Sequence, residues 1–507
     1  MRVHDYTIYD FICRNAQLYP NHDCIIFKDI RLSHKDYKER CDRLAAGLVK
    51  TGIVKGDRLA IVAHNSDEYM TIYGAAAKIG AIVLPVNWRL QLDELEYVLK
   101  DGSPKLIFAG SDFQPAVKGL AEKIDSVEAC FTIGGGEASE GYQRFEDLYT
   151  DSFSGEKFDI SGDSGFVIIH TAAVAGHPRG ALLSQQNITT INSGMIVQFA
   201  LNNDDCHISH LPLFHIAGLS VSTAVMHAGG SNVICGTFDP ESTLRLIETE
   251  KGTIFFNFPP ILKMMIDKYE EQTRNVKSIR HVAGLDHPDN IQRFLEFAPQ
   301  ARFWTGFGQT EAMGVSGGPI DDKPGSAGKP SLMASVALFD DYDEHVPVGS
   351  AGEICVRGPM VFLGYWNLED ETAYTFRNGW HHTGDIGRFD EDGYLWYVKR
   401  KAEKELIKPG GENVYPAEVE KVILTHEAVK EVSVIGVPDA KWGEAIKAIC
   451  SLKTGKTLTS EELIEYVASK IARYKKPQKV IFVDALPRTA EGEIDRDQVN
   501  KDHGNQC

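Results

Sequence analysis

The sequence predicts an α/β protein: a large N-terminal part built on a parallel, doubly wound sheet, followed by a small unit with strands and helices of its own. Three observations carry that expectation. Short apolar runs alternate with amphipathic helical segments through most of the chain, the pattern of strand-helix-strand units. The 507 residues, 43% hydrophobic and 24% charged, provide ample core and exclude a disordered, fibrous or disulfide-scaffold chain. Near residue 400 the texture changes at the charge-dense Lys399-Arg400-Lys401-Ala402-Glu403-Lys404-Glu405.

Taken in order, Ser33-His34-Lys35-Asp36 opens a segment with apolar Tyr37, Cys41, Leu44, Ala45 and Leu48 that stops near Gly52, an amphipathic helix with a start and a stop. Strand runs at residues 59–63 and 81–85 flank a helix-like segment from Asp67 to Ile79. Further runs at residues 106–109, 166–170 and 233–235 extend the alternation, and a helix begins near Ser184. After residue 400 come a helix from Pro416, strands at residues 432–435 and 445–450, a helix from Ser460 to Ile471 and a last strand at 480–483. Lys447, inside the second of those strands, suits a half-exposed face.

The formal charge is −18, from 53 Lys and Arg against 71 Asp and Glu, which argues against a nucleic-acid surface because phosphate neutralisation needs clustered cations. Nine scattered cysteines with no C-x-x-C pair point to a reducing compartment. The N-terminus lacks a basic segment followed by an apolar one, and the most apolar stretch, residues 73–86, is broken by Lys78 and too short to span a bilayer. A cytoplasmic protein with no integral membrane segment is expected.

Several segments are candidates for chemistry. Residues 169–180 join a buried strand to a helix through Thr171, a run of small residues, Gly176, Arg179 and Gly180, where backbone amides can face a phosphate; small residues equally pack a tight turn. In Phe303-Trp304-Thr305-Gly306-Phe307-Gly308-Gln309-Thr310-Glu311, an aromatic between glycines precedes a hydroxyl and a carboxylate, a set able to stack on a ring and to reach phosphate or Mg²⁺, or simply to form a packed aromatic turn. His381 and His382 are adjacent and point to opposite faces of an extended chain, which disfavours a shared metal. Asp385, between glycines, serves either a sugar hydroxyl or its own turn. Residues 407–416 form a glycine turn bounded by prolines, and residues 486–496 a polar loop.

Read in order, these segments resemble the signature series of the adenylate-forming superfamily, in its acyl-CoA synthetase branch, from about residue 8 to residue 498. Leu211-Pro212-Leu213-Phe214-His215, Gly352-Glu353-Ile354 and Gly436-Val437-Pro438-Asp439 belong to the same series. The resemblance implies stacked α/β subdomains over residues 1–399, a mobile α+β domain over 400–507 and a hinge near 399–405. It implies a ligase that attacks the α-phosphate of Mg·ATP with a carboxylate and passes the acyl group to CoA. Carried over by position, Thr171, Gly176, Arg179 and Gly180 would hold the β- and γ-phosphates. Phe307 and Gly308 would border adenine, Thr310 would touch the α-phosphate, Glu311 would hold Mg²⁺, and Asp385 with Arg400 would bind ribose. His215, Gly284 and Met313 would line the acyl pocket, and Lys408, Gly410 and Gly411 the CoA channel. The small and apolar residues around 216–218, 283–285 and 312–314 favour a fatty or aryl acid. Oligomeric state is open, a homodimer included.

Three departures from the family pattern stand out. The phosphate loop has Ala172, Ala173, Val174 and Ala175 where hydroxyls and a glycine are usual, and Arg179 in place of lysine. The hinge run is two residues longer than the common form. Glu493 occupies the position of the lysine that contacts the carboxylate and α-phosphate during adenylation. A charge reversal held within roughly 4 Å at an effective dielectric of about 20 would cost on the order of 8 kcal/mol. The loop can instead swing into water while Arg488, Arg496 or Lys475 approaches. A ligase with a modified ATP site, a silent acyl- or nucleotide-binding homologue, and an enzyme specialised for the thioester-forming or reverse half-reaction are all compatible with these residues.

Overall fold

The computed structural model describes residues 3–150, 158–171, 178–340, 342–400, 406–412, 414–489 and 494–504. Two large sheets dominate the larger part, built from residues 3–335 with one further strand at Gly364–Tyr365. The eight-stranded one runs, in spatial order, Gly364–Tyr365, Arg179–Ser184, Gly165–Thr171, Ile82–Pro85, Arg58–Val62, Leu106–Gly110, Ala129–Ile133 and Gln143–Arg144. The nine-stranded one has Ile254–Asn257, His281–Gly284 and Arg302–Gln309 side by side in parallel, followed by the antiparallel Ala312–Pro319. The doubly wound expectation holds for the sheet centres, with antiparallel pairs at the edges.

Local sequence explains the helices. Ser33 caps His34–Lys50 by accepting from the Asp36 amide while Asp36 reaches back to Ser33, so two end donors are satisfied at once. Asp67–Ile79 is buried on nearly every side, because it touches Ile82–Pro85 of one sheet and Asp23–Phe27 of the other. A helix apolar all round must be enclosed, and this one is. Its buried N-terminal Asp67 is paired with Arg40 at 2.5 Å.

Two differences from the sequence reading have simple causes. Residues 335–400 form a separate four-stranded antiparallel sheet of Ser335–Phe339, Gly352–Arg357, His381–Phe389 and Leu395–Arg400, because short strands there are joined without a crossover helix long enough for parallel pairing. Lys447 is not half-exposed but 2% exposed: the helix Arg496–His503 covers that face, and the ammonium donates to the His503 carbonyl at 2.8 Å.

The last unit holds Val429–Asp439, Gly443–Leu452 and Lys479–Phe482 in one sheet, packed on Pro416–Leu424 and Ser460–Ala468. It docks on the larger part through Lys475, whose ammonium lies 2.5 Å from Glu94 and 2.6 Å from Glu418, and through an Arg89–Glu412 ion pair.

Candidate active site

The strand ends Ile82–Pro85 and Gly165–Thr171 open into a cleft lined by Pro85, Val86, Asn87, His170, Thr171, Phe214, His215 and Thr310 from the larger part and by Glu412, Tyr474 and Lys475 from the smaller. The carboxyl ends of parallel strands are where open α/β sheets bind ligands. Thr171 closes its strand with its hydroxyl 3.4 Å from the Arg179 carbonyl. Arg179 lies 4.2 Å over the Tyr365 ring. Gly176 and the rest of residues 172–177 lie outside the described residues, as does Glu493.

Thr310 and Glu311 are both buried at the turn between Arg302–Gln309 and Ala312–Pro319. Tyr365 donates to Glu311 at 2.8 Å, and burial, reinforced by that carboxylate, pushes the phenol pKa far up, so the phenol remains a donor. The Phe307 and Tyr397 rings face one another with centroids 6.5 Å apart and planes 30° from parallel. Gly308 is required, since a Cβ there would sit 2.8 Å from the Gly314 amide nitrogen.

Asp385 and Arg400 are register partners on adjacent strands and form a two-pronged pair, Nε to Oδ1 at 2.8 Å and Nη2 to Oδ2 at 3.0 Å. Burial works against the guanidinium charge, but Asp385 more than offsets it and raises the Arg400 pKa. Behind them Glu353 accepts from the Gly384 amide at 2.8 Å and lies 3.1 Å from His382 Nδ1, which is also 3.3 Å from Cys355 Sγ. Arg377 bridges Glu353 and Asp343, so this buried group braces the Asp385 turn.

His215 caps the helix Ile216–Ala228, its Nδ1 accepting from the Ala217 amide, and burial lowers its pKa. Gly284 pairs with Asn257 across two parallel strands, and a Cβ there would lie 1.9 Å from the Asn257 carbonyl oxygen, so the close approach of backbones demands glycine. Met313 is half-buried against the main core, its Cα 3.4 Å from where a Cβ on Gly308 would stand.

On the smaller unit, Gly410 and Gly411 adopt φ of +61° and +83°. Added Cβ atoms would stand 3.1 Å from the Pro259 carbonyl oxygen and 2.8 Å from Phe258 Cβ respectively, so the turn rests directly on the larger part. Lys408 is exposed and holds Glu444 through its backbone amide. Of the three cations weighed as replacements at the lysine position, Arg488 pairs with Glu431 and Arg496 with Glu420, whereas Lys475 lines the cleft. Burial pulls the Lys475 pKa down, but Tyr474 and the two carboxylates more than offset it, and the pKa is raised. Sequence reading missed Tyr365, Tyr397, Glu94 and the His170–Asp101 pair, because each acquires its partner only through folding.

Comparison with known proteins gives one answer. The family model described as AMP-binding enzyme matches residues 12–366, and that described as AMP-binding enzyme C-terminal domain matches residues 418–493. The chain is 32% identical over 503 residues to the indoleacetate–CoA ligase of Aromatoleum aromaticum, with 97% of each covered. It is 31% identical over 499 residues to a feruloyl-CoA synthase of an Amycolatopsis species, covering 97% of this chain and 98% of the other. A solved double mutant of o-succinylbenzoate CoA synthetase from Bacillus subtilis, bound with its product analogue, is 27% identical and matches 98% of both chains with a TM-score of 0.85.

Proposed function

This chain belongs to the AMP-binding enzymes as an AMP-forming acid:CoA ligase, and from that premise we propose that its acid is a fatty or aryl carboxylate, handled in two steps within the cleft described above. In the first, the acid's carboxylate attacks the α-phosphorus of ATP and pyrophosphate leaves, converting a poor acyl donor into one whose leaving group is AMP. In the second, the CoA thiol attacks the acyl carbon, loses its proton, and AMP departs. The protein's part is orientation and charge neutralisation.

Thr171, Arg179 and Gly180 flank the loop that takes the terminal phosphates, and Thr310 serves the α-phosphate. The Phe307–Tyr397 spacing suits a purine between two rings, and the Asp385–Arg400 pair offers the ribose an acceptor and a donor. His215, Gly284 and Met313 border the acid, and Lys408, Gly410 and Gly411 the pantetheine arm. Glu311 presents a hard, buried carboxylate oxygen of the kind Mg²⁺ takes, fixed by Tyr365; a bound ion there would supply charge neutralisation at the phosphates.

The observation that carries this reading is that one cleft collects Thr171, Thr310 and His215 from the larger part and Glu412 and Lys475 from the smaller. A second reading, favoured by Glu493 and the alanine-rich loop, is an enzyme specialised for thioester formation or its reverse. Acid-dependent ATP–pyrophosphate exchange by the native protein and by Glu493→Lys separates the two. Exchange by the native protein supports the full ligase; exchange only in the variant, with native conversion of acyl-AMP and CoA to thioester, supports the specialised one; failure of both proteins in both assays excludes them together.

A further inference from the structure

His170 is the penultimate residue of Gly165–Thr171, immediately before the alanine-rich loop, and it lines the same cleft as Thr171 and Thr310. Its side chain is only 6% exposed. Nε2 donates to Asp101 Oδ2 at 2.8 Å, and Asp101 is itself anchored at the end of the helix Leu92–Gly102, where its backbone carbonyl accepts from Trp366 Nε1 at 3.1 Å. The ring therefore has one nitrogen committed and a fixed orientation. Nδ1, buried as well, has no hydrogen-bond partner among the described residues.

Gly180, the register partner of His170 on the neighbouring strand, leaves the room the imidazole needs: a Cβ there would fall 3.3 Å from both Cε1 and Nε2 of the ring. A buried nitrogen without a partner is costly unless a ligand supplies one. With Nε2–H on a carboxylate, Nδ1 is a bare acceptor in the neutral ring; a proton taken up from solvent as an anionic oxygen binds beside it makes Nδ1–H a charge-assisted donor to that oxygen. Residues 172–176 contain no hydroxyl, so the chain has lost side-chain donors at the point where the triphosphate is expected.

We propose that His170, oriented by Asp101, donates through Nδ1 to a phosphate oxygen of ATP and supplies a side-chain contact that residues 172–176, without a hydroxyl, do not. This rests on the reading of the cleft as the ATP site. Asp101 acts as a positioning residue, holding the imidazole in place without touching the nucleotide.

The test is calorimetric binding of Mg·ATP, without acid, to the native enzyme and to His170→Phe, His170→Asn and Asp101→Asn, alongside conversion of supplied acyl-AMP and CoA to thioester. Phenylalanine keeps the ring's volume and removes both nitrogens, while asparagine restores a donor near the Nδ1 position; melting temperatures establish that each variant is folded. The expected result is at least tenfold weaker Mg·ATP binding for His170→Phe, partial recovery in His170→Asn, a smaller loss in Asp101→Asn, and thioester formation within twofold of native throughout. Binding by His170→Phe within twofold of native overturns the proposal, as does an equal loss in both assays or a native protein that does not bind Mg·ATP. If the native protein binds Mg·ATP but no acid yields AMP, the ligase reading fails while the ratio of binding constants still decides the role of His170.

Discussion

Gly411 shows how little latitude single residues have at the junction of the two parts. Its φ of +83° and the 2.8 Å approach of a built Cβ to Phe258 leave no place for a side chain. Gly411→Ala is therefore expected to slow thioester formation from acyl-AMP and CoA by at least tenfold while leaving ATP–pyrophosphate exchange within about threefold, a split read by assaying the half-reactions separately. Thr310, Glu311 and Asp385 stand in contiguous motifs that resemblance singles out in the sequence, and the structure buries all three. His170 with Asp101, 69 positions apart, and Phe307 with Tyr397, 90 apart, were not, since nothing in either local sequence names the partner. Lys447 misled for a related reason: an alternating strand pattern says which face it occupies, but the helix Arg496–His503 that covers that face comes some fifty residues later.

Three elements meet at Lys475: the helix Leu92–Gly102 bringing Glu94, the helix Pro416–Leu424 bringing Glu418, and the short turn Arg473–Lys475. Glu94 also accepts from the Ala472 amide at 2.9 Å, so it holds the smaller unit by two bonds. Burial raises the Glu418 pKa, opposed by Lys475. Removing one partner from a buried ion pair costs about 3–5 kcal/mol because the remaining charge is stranded. Lys475→Met, which leaves two facing carboxylates, is expected to lower the melting temperature and the thioester-forming rate more than Glu94→Gln does; equal effects would mean that the ammonium is not what joins the parts. The starts of three other helices are legible in the sequence, since Ser33, Ser184 and Thr459 each cap the helix that follows. The hairpin strand Arg179–Ser184 was not, because its apolar stretch is short and runs straight into that helix.

At the scale of the whole molecule, charge state and domain docking set the working range. Burial lowers the pKa values of His34, His207 and His227 to about 4 and of His210 to about 3. In the unfolded chain these groups titrate near 6.5, so between about pH 6.5 and 4 the unfolded state binds more protons. Their contribution to stability is complete above pH 6.5 and is lost as the pH falls towards 4, by up to about 1.4 kcal/mol per pH unit for each histidine. Thermal melts from pH 7 to 4 are expected to show that decline, and His210→Phe, which fills the space between Phe238 and Phe255, is expected to flatten it.

The proposed function places both halves of the reaction in one cleft. The most direct measurement is acid-dependent release of AMP together with thioester from Mg·ATP and CoA, across fatty acids of several lengths and a set of aryl acids. The expected result is AMP and thioester in equal amounts for at least one class, with neither formed when the acid is omitted. A folded protein that gives neither product with any acid, and that also leaves supplied acyl-AMP and CoA unchanged, would contradict it.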